Sequence, residues 1–105
     1  MQLISYLQDG QLTVALTGEI DHHRARSYIQ TIEARIEAYM PAECTLDFRD
    51  VSFMDSSGIA VVINALRAMA RIEVKLSLAS VGEQPMRVFR ASGIDKLVYI
   101  KEAIR

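Results

Sequence analysis

Thr45-Leu46-Asp47-Phe48-Arg49-Asp50-Val51-Ser52-Phe53-Met54-Asp55-Ser56-Ser57-Gly58-Ile59 decides how this chain reads. Cys44, Leu46 and Phe48 alternate with Thr45 and Asp47, the period of a strand. A helix is expected over 57–70, where Ile59, Val61, Val62, Ile63, Leu66 and Met69 take most of its sides. A helix that apolar is buried on more than one face, or buried on one and bound on another. Asp55, Ser56 and Ser57 stand between the two elements. Such residues cap the backbone N–H groups of a helix entry. The same helix end stabilises an added phosphate through its N–H groups and dipole. The segment is therefore a plain helix cap or a serine phosphorylation switch.

Upstream, Leu3 to Leu7 and Leu12 to Leu16 alternate across Asp9-Gly10, which reads as a β-hairpin closing at Gly18. Asp21 caps a helix expected over 22–39, with Ala25, Ile29, Ile32, Ile36 and Met40 as its apolar stripe and Pro41 as its end. Downstream, Val74, Leu76 and Leu78 alternate with Glu73, Lys75 and Ser77 as a fourth strand. Pro85 suits the first turn of a third helix and Gly93 its stop. Leu97–Ile100 form a last strand, and 102–105 begin a final helical turn. Alternating strands and helices imply a parallel α/β sheet, made mixed by the hairpin. The expectation is one domain over 1–105, with four to five strands and about four helices.

Composition narrows the function. The chain has 105 residues, half of them hydrophobic, which suits one aliphatic core. A net charge of −1 gives no sign of a nucleic-acid binder. The single cysteine, Cys44, excludes an internal disulfide and reads as a buried thiol of a reducing compartment. No stretch approaches the roughly 20 apolar residues of a membrane span. The N-terminus lacks a signal-peptide pattern. A cytoplasmic protein is expected.

Catalytic chemistry finds little support. Gly-x-Ser-x-Gly is absent around Ser57. Adjacent Asp21-His22-His23 does not suit the geometry of a Ser-His-Asp triad. Two neighbouring histidines and one distant cysteine have no metal-ligand spacing, and no phosphate-binding glycine loop occurs. No enzyme, metal or cofactor is expected. His22, His23, Arg24 and Arg26 place cations at a helix start, against the dipole, which points to an acidic or phosphate-bearing partner or to a solvated face.

The quoted segment closely resembles the central motif of bacterial anti-sigma factor antagonists, members of the STAS domain family. Leu16-Thr17-Gly18-Glu19-Ile20-Asp21-His22-His23 is similar to the family's second motif in its sporulation-type form, and Val88-Phe89-Arg90-Ala91-Ser92-Gly93-Ile94 to its third. Ile59-Ala60 stands where the family often has Leu-Gly, and Arg71-Ile72-Glu73 where glycines are common. The resemblance implies a single STAS domain that binds an anti-sigma factor, itself a serine kinase, and so frees a sigma factor. The kinase would phosphorylate Ser57, ending the binding, and a metal-dependent serine phosphatase would reset it. Asp21 matches a position beside that serine. Ser56 is then the capping residue, Ser57 carries the phosphate, and Gly58 lets the kinase approach closely. Partner contacts are expected from Asp21, His22, Arg24, Asp55, Ser56, Ser57 and Gly58 of a monomer, without nucleic acid or membrane. The alternative is a STAS subunit of a membrane transport complex or of a stressosome-like scaffold.

Overall fold

The computed structural model describes residues 3–102. Strands β1 (Leu3–Gln8) and β2 (Gln11–Ile20) form the hairpin. Asp9 and Gly10 both take positive φ, 53° and 79°, the type I′ geometry that matches strand twist. Helix α1 (His22–Tyr39), strand β3 (Glu43–Met54), helix α2 (Ser57–Arg71), strand β4 (Leu76–Ala79) and helix α3 (Glu83–Ser92) follow. A 3-10 turn over Ile94–Lys96 leads into β5 (Tyr99–Lys101). The sheet order is β1-β2-β3-β4-β5, antiparallel between β1 and β2 and parallel elsewhere. The mixed α/β sheet of the sequence reading is therefore present, with five strands and three α-helices among the described residues.

The boundaries differ in instructive places. Gly18 does not end β2, which runs on to Ile20 after register shifts against β3. Buried α1 positions are Ala25, Tyr28, Ile32 and Ile36, whereas Ile29 is only half-buried and Met40 is exposed in a left-handed cap. Tyr28 fits inside because its hydroxyl donates to the Thr17 carbonyl at 2.9 Å. Glu73 and Val74 belong to no strand. They close α2, with Val74 N–H donating to Met69 O and Glu73 N–H to Ala70 O, both near 3.0 Å. β5 begins at Tyr99 because Leu97 ends the 3-10 turn. Apart from Glu102, which is not helical, the expected final turn lies outside the described residues.

Alternate residues of the strands, Leu12, Val14, Leu16, Cys44, Leu46, Phe48, Leu76 and Leu78, join Ile32, Val62, Met69 and Phe89 in one core. Phe48 and Phe89 meet edge to face at 5.5 Å, which fixes α3 against β3. α1 and α2 are joined at their far ends by Arg71, 3.1 Å from Glu33 and 3.9 Å from Glu37. Parallel β2 and β3 finish together, so the N-termini of α1 and α2 emerge at the same end of the sheet.

Candidate functional site

That shared end is where the sequence motif falls. Ile20 and Met54 are the last paired residues of β2 and β3, and Asp55 N–H donates to Ile20 O at 3.1 Å. Asp21 and Asp55 therefore leave adjacent strands as neighbours. Each caps the helix that follows. Asp21 Oδ1 accepts Arg24 N–H at 3.0 Å, and Asp55 Oδ1 accepts Ser57 N–H at 2.7 Å. The Arg24 amide holds the Asp21 carboxyl below its ordinary range, against a smaller opposing effect of burial.

This assigns the capping differently from the sequence reading. Ser56 occupies the cap position of α2, but its side chain makes no capping hydrogen bond. Its αR backbone turns the hydroxyl away from the role, and Asp55 fills it instead. Ser56 is exposed and Ser57 half-buried. The first amides of α2 are also engaged already. Gly58 N–H donates to Asp55 O and Ile59 N–H to Ser56 O, each at 3.1 Å. The expected open cradle of N–H groups for a phosphate on Ser57 is thus occupied by the chain itself.

Gly58 has a different part from the one expected. It is buried, and a Cβ there would overlap Sδ and Cγ of Met54. The missing side chain serves the packing of α2 on β3, not approach from solvent. Arg24 is exposed, but its Nη1 donates to Glu19 O at 3.1 Å, tying it back across the end of β2. His22 and His23 lie with ring centroids 4.8 Å apart and share a shallow depression with Arg26. His22 and Ser56 are exposed, each next in sequence to one of the two carboxylates.

Two contributors escaped the sequence reading. β4 pairs with β3 only from Cys44 to Asp47, so the upper half of β3 lacks a neighbour on that side. Gln84 of α3 supplies one at Met54. Its Oε1 accepts Met54 N–H at 2.9 Å and its Nε2 donates to Met54 O at 2.7 Å. This side-chain amide imitates a ladder pair and fixes the residue that precedes Asp55. Phe53, 47% exposed, places an apolar ring next to the motif. Cys44 lies elsewhere, buried in the sheet, and burial pushes its thiol up to about 12.

Among the described residues no group of histidine, cysteine or carboxylate side chains is arranged to hold a metal, and no helix is long and apolar enough to cross a membrane. Residues 3–105 match the model of the STAS domain. An anti-sigma F factor antagonist of Paenibacillus polymyxa is 26% identical over 91 residues, covering 87% of this chain and 78% of that protein. The anti-sigma factor antagonist SpoIIAA in its unphosphorylated form has a similar structure, with a TM-score of 0.85 and 23% identity over 98% of this chain and 89% of that one. Bacillus SpoIIAA in the phosphorylated form gives a TM-score of 0.76 at 23% identity, over 98% of this chain and 92% of that one.

Proposed function

The chain belongs to the STAS domain family, and on that premise we propose that it is an anti-sigma factor antagonist switched by phosphorylation of Ser57. In its unmodified form it binds an anti-sigma factor that is also a serine kinase, releasing a sigma factor. It acts by binding and has no catalysis of its own. The observation that carries this reading is the placing of Ser57 at a helix start, next to an exposed serine and two carboxylates on adjacent strand ends.

The contact surface comprises Ser56 and Ser57, the Asp21-His22 corner and the exposed ring of Phe53. A phosphate adds about −1.5 to −2 charges and three acceptor oxygens. Here it meets the Asp55 carboxylate, which already holds the Ser57 amide. It is therefore driven outward, into the space of the bound partner, where desolvation and repulsion break the contact. A metal-dependent serine phosphatase restores the binding form.

The test is incubation with the cognate serine kinase and ATP, read by peptide mass spectrometry. One phosphate on Ser57, absent in folded Ser57→Ala, is expected. An unmodified wild-type protein, or equal labelling of Ser57→Ala, overturns the proposal.

A further inference from the structure

β1 forms one edge of the sheet, away from the Ser57 end, and carries Leu3-Ile4-Ser5-Tyr6-Leu7-Gln8. Natural sheets protect edges with charges, proline or bulges. β1 has none of these, and its register with β2 is unbroken from Leu3↔Leu16 to Gln8↔Gln11. Ile4, Tyr6 and Leu7 are 63%, 50% and 44% exposed.

The turn fixes which backbone groups face outward. A two-residue type I′ loop makes its flanking residues, Gln8 and Gln11, a hydrogen-bonded pair. Hydrogen-bonded and non-hydrogen-bonded pairs then alternate along the strands. Tyr6 and Ile4 turn their backbone groups to β2, while Leu3, Ser5 and Leu7 present theirs at the free edge.

The side chains of this edge read alike in both directions. Reversed about Ser5, leucine meets leucine, isoleucine meets tyrosine and serine meets serine. We propose that a second copy of this chain pairs antiparallel with β1 about a two-fold axis at Ser5, extending the sheet across a dimer. In that register the outward groups of Leu3, Ser5 and Leu7 meet those of the second copy's Leu7, Ser5 and Leu3, giving about six backbone hydrogen bonds. Ile4 faces Tyr6 of the second copy in the close, non-hydrogen-bonded position, a favourable β-branched–aromatic pair. A closed two-fold contact consumes both edges, so assembly stops at two.

Arg35 limits the strength. Its Nε donates to Ser5 Oγ at 2.9 Å, so the dyad draws two guanidinium groups together. The paired strands are also short, well under the ~1,200 Å² of stable complexes. The dimer is weak, with a dissociation constant on the order of 0.1–1 mM, and the expected monomer is the form at low concentration. The Ser57 end stays open in both copies.

Sedimentation equilibrium tests this from about 10 µM to about 1 mM, in roughly 0.15 M NaCl, where exposed charge pairs across the seam still act. The wild-type average mass should climb towards twice that of the chain. Ile4→Glu with Tyr6→Glu sets carboxylates opposite each other and should abolish the climb. Ile4→Lys with Tyr6→Glu sets opposite charges face to face and should restore it. The substitutions fall on two side chains at least half exposed, Ile4 and Tyr6, and a thermal melt checks folding. A monomer throughout, association unaffected by the paired glutamates, or no restoration by the complementary pair overturns the inference.

Discussion

The Asp55 carboxylate holds the backbone N–H of Ser57 at 2.7 Å. The acid therefore has two relations to the serine. It fixes the start of α2, and in the proposed switch it is the nearest negative charge in sequence that a phosphate on Ser57 would face. Capping and the proposed switching fall on the same pair of residues, with the cap on Asp55.

The Gln84 amide should matter as much to this end of the molecule as a strand would. Gln84→Ala leaves the Met54 N–H and C=O without their partner, at about 1–3 kcal/mol for an unsatisfied buried group. Gln84→Glu keeps the acceptor but turns a donor-less oxygen to Met54 O, and should also destabilise. Urea unfolding measures both. A loss below about 0.5 kcal/mol for Gln84→Ala would show that water replaces the side chain at no cost.

Glu73 occupies a position that suits glycine, with φ of 58° at the end of α2. The left-handed region costs a residue with a Cβ roughly 1–2 kcal/mol. Glycine also loosens the unfolded chain by about 0.4–1 kcal/mol. Glu73→Gly should thus gain roughly 0.5–1 kcal/mol net, while Glu73→Ala should gain nothing. Thermal unfolding of the three proteins decides it, and equal stabilities would refute the strain.

Asp21 gives the fold a defined pH response. Its carboxyl is held below the ordinary carboxylate range, chiefly by the Arg24 amide. A depressed folded pKa contributes stability that is complete above the unfolded value and is lost as pH falls through the folded one. Asp21→Asn keeps an acceptor for the amide but has no charge to lose. The melting temperature of wild type should exceed that of Asp21→Asn at pH 7, and the gap should close as pH falls below the ordinary carboxylate range and through the lowered folded pKa. A gap constant with pH would contradict the assignment.

Much of the fold was legible because local chemistry and tertiary need agree. Asp9-Gly10 demanded a tight hairpin turn. Asp21 and Pro41 bracket α1, which runs from His22 to Tyr39 as the pattern suggests. Legibility failed where long-range pairing decides. Arg49, Asp50 and Ser52 break the apolar alternation, yet β3 continues to Met54 because β2 remains beside it. Val74 looks like a strand residue but is held in the turn by Met69 O. Gln84 could not be found from the sequence, since its partner lies 30 residues away and the vacancy it fills comes from the shortness of β4. The motif marked the shared end of β2 and β3, where Asp21 and Asp55 cap the helices that follow. The division of labour between Asp55 and Ser56 depends on backbone angles that the residue types leave open.

The central claim is that a phosphate on Ser57 ends partner binding. Calorimetric titration of the cognate anti-sigma factor with unmodified and Ser57-phosphorylated protein tests it most directly. The account expects tight binding by the unmodified form and a loss of about a thousandfold, near 4 kcal/mol, on phosphorylation. Equal affinity of the two forms, both folded, would contradict it.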